Sequence, residues 1–195
     1  MSFGYSMNTL NLQQAVERLK QGDVLAYPTE AVWGLGCDPQ QQQAFEKILT
    51  LKQRPIEKGV ILLSESIERV EPLLTLLDTE IRQQIIASWQ HSGAQQRATT
   101  WLLPVSTAIP AWIYGAHDRV AIRVTQHALC QQLCAAFDGM IVSTSANPAG
   151  LAPAKTAQQV ADYFPSDLAI LPGELGNSPQ PSKILDAVTG QVIRA

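Results

Sequence analysis

Leu51-Lys52-Gln53-Arg54-Pro55-Ile56-Glu57-Lys58-Gly59-Val60-Ile61 is where this chain turns from helix to strand. Upstream, Ala44, Phe45, Ile48 and Leu49 recur at helical spacing, so a helix runs toward Lys52 and ends near it. Downstream, Gly59–Leu63 is a short apolar run that reads as a strand, with Pro55 and Gly59 as the punctuation between the two. Lys52, Arg54 and Lys58 therefore gather at the C-terminal end of a helix. There they can converge on phosphate oxygens, Arg54 as a planar fork and the lysines as point charges. The same cluster suits a solvated helix end, because the helix dipole favours cations there. This stretch alone leaves both readings open.

Working outward, Leu12, Ala15, Val16 and Leu19 mark an opening helix that Gly22 closes. Val24–Tyr27 reads as a buried strand running into Pro28-Thr29-Glu30. Trp33-Gly34-Leu35-Gly36-Cys37 then reads as a Gly-punctuated stretch that lets backbone approach a ligand. Asp38 is the expected N-cap of the next helix, with Pro39 at its first position. Beyond Gly59–Leu63, the pattern predicts helices over Ser66–Leu77 and Thr79–Trp89, strands over Thr99–Leu103 and Arg119–Val124, and a helix over His127–Phe137. A strand over Met140–Ser143, a Thr156-capped helix to Phe164 and a strand over Leu168–Leu171 follow, then a Gly/Pro-rich loop, Pro172–Pro181. Lys183–Val188 and Gln191–Arg194, split by Thr189-Gly190, look like a closing hairpin. Helices and strands mix without a strict βαβ repeat. The expected fold is α/β, one domain over residues 7–195 with a twisted mixed sheet, parallel and antiparallel, flanked by helices. Residues 1–6 are read as an N-terminal extension.

Composition agrees with one core. The chain has 195 residues, 46% hydrophobic and 16% charged, enough apolar content for a single domain of this length. A net charge of −3 argues against a protein whose whole surface tracks nucleic acid, so any such contact is local. No apolar run approaches the roughly 20 residues of a membrane span, and the polar start lacks a secretory pattern, so a cytoplasmic location with no membrane contact is expected. Cys130 and Cys134 sit four apart on the face marked by Leu129, Leu133 and Phe137. With no second Cys or His pair at ligand spacing, they read as packing thiols rather than a metal site.

Two further stretches carry chemistry. Val142-Ser143-Thr144-Ser145-Ala146-Asn147-Pro148 leaves a strand with hydroxyls, an amide and backbone N–H groups crowded into a turn, a pattern suited to a phosphate or carboxylate and equally to a self-bonded Ser/Asn turn. Gly150-Leu151-Ala152-Pro153-Ala154-Lys155-Thr156 imitates a P-loop but is one residue short. Ala154 stands where the second Gly belongs, and Pro153 removes a backbone donor.

Tyr27-Pro28-Thr29-Glu30 with the following Gly34-Leu35-Gly36, then Lys52-Gln53-Arg54-Pro55, Ala121-Ile122-Arg123-Val124, Ser143 through Asn147, and Pro181-Ser182 with Ile184 occur in that order. Together they resemble the YrdC-type threonylcarbamoyl-AMP synthases, over nearly the whole chain from Val24 to Arg194. The resemblance implies a YrdC-like fold with a concave basic ligand site. It implies an enzyme, a nucleotidyltransferase that converts L-threonine, bicarbonate or CO2 and ATP into threonylcarbamoyl-AMP and pyrophosphate for tRNA N6-threonylcarbamoyladenosine. By the same resemblance Lys52, Arg54, Ser143, Ser145, Asn147 and Arg194 are ATP contacts, and Thr29, Arg123 and Ser182 contact threonine. Lys58 joins the phosphate set on charge and nearness. Mg2+ with ATP, a downstream threonylcarbamoyl transferase complex, and tRNA or other RNA are the implied partners. No protein nucleophile is expected, because displacement at phosphorus needs positioning and charge neutralisation.

The chain departs from the family pattern after Trp89, where a Trp-Pro-Gly-Pro turn gives way to a longer loop ending at Thr99-Thr100. Thr100 still matches the end of that motif and is retained as a threonine contact, and Lys183 replaces a small residue. The main alternative is an RNA-binding module without catalysis, gripping tRNA or rRNA through a local basic hollow. Carbamoyl-transfer proteins that mature hydrogenases share the domain but carry Cys clusters and extra domains that this chain has no room for.

Overall fold

A computed structural model describes residues 7–90 and 97–195. The expected extension Met1–Ser6 and the middle of the Gln90–Ala98 loop lie outside the described residues. Among those described, the strands form one mixed ten-stranded sheet ordered β1-β8-β2-β3-β7-β4-β6-β5-β9-β10. They are β1 (Asn8–Thr9), β2 (Leu25–Pro28), β3 (Trp33–Gly36), β4 (Ile61–Ser64), β5 (Thr99–Pro104), β6 (Arg119–Val124), β7 (Ile141–Ser145), β8 (Ala169–Ile170), β9 (Lys183–Asp186) and β10 (Val192–Arg194). β4 runs parallel to β6 and β5 parallel to β9, whereas β2–β3, β3–β7, β4–β7 and β5–β6 are antiparallel. The helices are α1 (Leu12–Lys20), α2 (Gln42–Lys52), α3 (Ile67–Leu74), α4 (Thr79–Gln90), α5 (Ala111–Tyr114), α6 (Ala128–Phe137) and α7 (Ala157–Tyr163).

Each sheet face has its own apolar cluster, as strand alternation requires. One face sends Ala26, Leu35, Leu62, Leu103, Ile122 and Val142 into a core shared with Phe45 and Ile48 of α2, Val70 and Leu74 of α3, and Ile85 and Trp89 of α4. The other sends Leu25, Tyr27, Leu63 and Ile141 against Ala15, Val16 and Leu19 of α1 and Cys130, Leu133 and Cys134 of α6. Both thiols are buried there, Cys130 against the Pro28 carbonyl at 3.2 Å. The capping box of Asn11 and Gln14 starts α1, and Ser66 and Thr156 cap α3 and α7.

Several expectations give way to packing. Asp38 does not cap α2. Its carboxylate accepts from the Gln40 N–H at 2.8 Å in a turn of its own, and α2 begins at Gln42 after Gln41. Trp33–Gly36 is a buried strand between β2 and β7. At Gly36 the close approach comes from the protein itself: a Cβ there would stand 2.4 Å from the Val142 carbonyl oxygen and 2.8 Å from the Tyr27 ring. β1 and α5 had no clear periodic signal, being only two and four residues long. The closing hairpin forms where expected, with the Asp186 carboxylate accepting from the Val188 and Thr189 N–H groups across its turn.

Gly36→Ala should therefore overpack the Tyr27 side of the sheet and lower unfolding stability by about 1–3 kcal/mol in a urea titration. A variant as stable as the parent would contradict this packing.

Candidate active site

α1 and α6 cover Leu25 and Tyr27 of β2, Leu63 of β4 and Ile141 of β7, and the same face carries polar side chains further along β6 and β7. Ser143 and Ser145 alternate with Val142 and Thr144 on β7, and Arg123 alternates with Ile122 and Val124 on β6. Register aligns Ser143 with Ile61 and Ile61 with Ala121, while Thr100 pairs with Ile184 and Ile184 with Arg194. Gly34 lies between Thr29 and Ser143, since a Cβ added to it would meet the Thr29 methyl at 3.2 Å and the Ser143 hydroxyl at 3.7 Å. The sheet floor is thus continuous from the β7 turn to Thr29.

At one end, the C-terminus of α2 meets the turn after β7. Lys52 is only 4% exposed, and its ammonium donates to the Ser145 carbonyl, to the Asn147 carbonyl at 2.9 Å and to the Asn147 side-chain oxygen at 3.3 Å. The Ser145 hydroxyl donates to that same side-chain oxygen at 2.6 Å, and the Asn147 amide donates to the Leu151 carbonyl at 2.7 Å. Arg54 folds back onto the Gly59 and Lys58 carbonyls at 2.9 and 3.3 Å, and its buried Nε has no hydrogen-bond partner. Burial, and then the neighbouring Arg54 charge, bring the Lys52 pKa down to about 8. Burial also lowers that of Arg54.

A second cluster surrounds Arg123, which is 8% exposed and not on a solvated strand face. One of its guanidinium nitrogens stands 3.4 Å from Glu30 Oε2, an ion contact without hydrogen-bond geometry. The Thr125 hydroxyl donates to Glu30 Oε1 at 2.7 Å. Burial raises the Glu30 carboxyl, but Arg123 and then Thr125 outweigh it and hold the group below the ordinary carboxylate value. Thr29 turns its hydroxyl onto the Val32 carbonyl at 2.7 Å, and the Pro172–Pro181 loop straps this segment through Gly176 N–H to Thr29 O and Ser178 N–H to Glu30 O.

The third cluster joins β5 to the hairpin. The Thr100 and Ser182 hydroxyls share a buried 2.7 Å hydrogen bond, and Arg194 donates to the Ser182 carbonyl at 2.7 and 3.0 Å and to its hydroxyl at 3.2 Å. Arg97 holds the adjacent Pro181 carbonyl at 2.5 Å. Burial, then repulsion from Arg97 and Arg123, lowers the Arg194 pKa. Of the residues singled out in the sequence, Lys58 stays peripheral, with its side chain exposed and its carbonyl as its link to the others, and Arg194, on an exposed strand, joins through its bonds to Ser182.

Glu30, Thr125 and Arg97 were given no role in the sequence reading. Glu30 was quoted within its motif, but its pairing with a strand residue 93 positions away has no local signature. For Mg2+, the described residues hold no group of three His, Cys, Asp or Glu side chains fit for a metal. The oxygens beside Lys52 are hydroxyls, an amide and carbonyls. That donor set suits a cation arriving on a triphosphate better than a resident one.

These features are those of a known family. The family model for Sua5, YciO and YrdC, described as "Telomere recombination", matches residues 17–195, and the chain belongs to this family. It is 59% identical over 188 residues to the threonylcarbamoyl-AMP synthase of Acinetobacter baumannii, covering 96% of this chain and 100% of the relative. The fold matches P. abyssi Sua5 complexed with L-threonine at a TM-score of 0.80 and 25% identity, over 93% of this chain and 54% of that longer one. It matches E. coli YciO at a TM-score of 0.80 and 22% identity, over 97% of this chain and 94% of the other.

Glu30→Ala would leave the Arg123 charge buried without its partner and should cost about 3–5 kcal/mol of stability, whereas Glu30→Gln, which keeps an acceptor for Thr125, should cost less. Urea titrations of both variants check the order. The second expectation concerns pH. The Lys52 pKa is near 8 folded and about 10.4 unfolded, so between those values the unfolded chain binds more protons. The cost of burying the ammonium is then full below pH 8 and is relieved as pH rises through the window. Affinity for a polyphosphate should run the other way, steady below about pH 8 and falling above it as the ammonium is lost. In Lys52→Arg that fall should vanish, as titration calorimetry across the range would show.

Proposed function

We propose that the chain is a threonylcarbamoyl-AMP synthase, a nucleotidyltransferase. The observation that carries this reading is one sheet face holding a phosphate-suited cluster at Lys52, Arg54 and Asn147 and an amino-acid-suited cluster at Thr29 and Arg123, joined across Gly34. The relatives that share nearly the full length carry the same activity in their names.

In this reading threonine enters with its carboxylate on Arg123 and its hydroxyl side toward Thr29, Thr100 and Ser182. The amine adds to CO2, drawn from bicarbonate, and releases a proton to give N-carboxythreonine. A carbamate oxygen then attacks the α-phosphorus of ATP, the bond to the β,γ-phosphates breaks, and pyrophosphate leaves. The chain contributes position and charge rather than a nucleophile. Arg54 and Lys52 neutralise phosphate oxygens, Lys52 by exchanging one of its carbonyl contacts, with Lys58 adding charge at the rim. Ser143, Ser145 and Asn147 frame the nucleotide, and Arg194 meets it from the hairpin side. Mg2+ belongs to the substrate as Mg-ATP and would neutralise the triphosphate charge that Lys52 and Arg54 share.

The product is a reactive mixed anhydride, so an acyl-transfer complex acting on tRNA is its natural consumer, and the cytoplasm supplies all three substrates. Among the described residues no helix is long and apolar enough to cross a membrane. The RNA-binding alternative needs cations presented to solvent. Lys52 is buried, and Arg54 and Arg194 fold onto backbone carbonyls.

Incubation with Mg-ATP, threonine and labelled bicarbonate should give pyrophosphate and a labelled adenylate only when threonine is present. ATP turnover indifferent to threonine would overturn the reading. Arg54→Ala should weaken ATP binding by about 1.5–3 kcal/mol, the scale of a charged hydrogen bond, with threonine binding retained.

A further inference from the structure

The loop between α5 and β6 belongs to neither substrate cluster, yet it grips the segment that carries Arg54. Arg54 is held by the carbonyls of Lys58 and Gly59, so its place depends on the short 3-10 turn Ile56–Lys58 and on Gly59. That turn is held from outside. The Val60 N–H donates to the Ile113 carbonyl at 2.9 Å and the Ala116 N–H to the Glu57 carbonyl at 3.2 Å, one bond on each side of a close backbone crossing.

Two glycines make the crossing possible. Gly59 has φ 55 and ψ 174, and Gly115 has φ 63 and ψ −129, regions essentially closed to residues with a Cβ. Space excludes a side chain as well. A Cβ on Gly115 would lie 2.6 Å from both the Ile56 and Glu57 carbonyl oxygens, and one on Gly59 would lie 3.0 Å from the Tyr114 carbonyl oxygen. Any side chain at Gly115 must push the turn away, and the two carbonyls that hold Arg54 move with it.

We infer that Gly59 and Gly115 form a clasp that sets the position of Arg54, making Ala111–Ala116 part of the nucleotide site although none of its residues is assigned a substrate contact. The inference rests on Arg54 being a phosphate contact. Gly115 is a positioning residue acting through Arg54, so its loss should harm ATP binding selectively and only while the guanidinium is present.

A double-mutant cycle on the full chain separates the possibilities. Gly115→Ala should weaken Mg-ATP binding by about tenfold or more, the scale of one charged hydrogen bond, and leave threonine affinity within about twofold, since Arg123 and Thr29 lie outside the clasp. In an Arg54→Ala background the same change should have little further effect on ATP, because contacts acting through one group are not additive. A merely structural glycine would instead lower both affinities and add its full effect in both backgrounds, and that result would overturn the clasp. Should Arg54→Ala alone leave ATP affinity unchanged, the assignment of Arg54 fails, whatever Gly115 does. If Gly115→Ala does not fold, Gly59→Ala, with the milder contact, enters the same cycle. The parent protein gives an independent reading: saturating Mg-ATP should slow hydrogen exchange at the Val60 and Ala116 amides, and unchanged rates at both would refute the inference.

Discussion

The buried Lys52 ammonium is the contact on which the site depends. It closes the end of α2 against the turn after β7, across more than ninety residues of sequence, by matching three N–H donors to three oxygens of Ser145 and Asn147. The Ala149 N–H returns the bond to the Lys52 carbonyl at 2.9 Å, so the two segments are tied through both side chain and backbone. An ammonium out of water is tolerated only with such compensation. The same contact fixes where Ser145 and Asn147 point and which way the chain leaves toward Arg54. Structure and charge are therefore supplied by one residue.

Crowded positive charge follows the same logic elsewhere on this face. Arg97, Arg123 and Arg194 lie close enough that the first and second both depress the third, and Glu30 is the carboxylate in contact with Arg123. Arg54 and Arg123 each keep a buried Nε without a hydrogen-bond partner. Preorganised cations of this kind stabilise developing phosphate charge without reorganising at the moment of reaction.

Much of this was legible in the sequence because it was local or periodic. The stripe of α1, the strand before the Ser143–Asn147 turn, the Thr189-Gly190 hairpin and the cations ending α2 each announce themselves within a few residues. The resemblance to the family singled out Arg123 and Ser182, which the structure buries on this face. What remained hidden was set by tertiary contact. Trp33–Gly36 has the glycines of a loop, yet it is a strand because Tyr27 fills the space beside Gly36. Asp38-Pro39 has the form of a helix start, but its carboxylate is satisfied two residues on. Glu30 pairs across the sheet, and Gly115 looks like any turn glycine until the carbonyls of Ile56 and Glu57 are seen against it.

The net charge of −3 leaves the positive charge of this face local, and two of its members, Lys52 and Arg123, are turned inward. A protein that tracks a nucleic acid backbone needs many exposed cations, since its affinity comes from releasing counterions along the polymer. Here Lys52 and Arg123 are almost wholly buried, whereas Arg194, on an exposed strand, is tied to the Ser182 backbone. Charge placed this deep is felt at short range in a low dielectric and is screened little by salt. In the proposed reaction such charge would favour a compact anion able to replace the carbonyl contacts of Lys52 and Arg54. A nucleotide tail and an amino-acid carboxylate would meet that condition in the proposed function, whereas an extended RNA backbone would need cations presented along a surface.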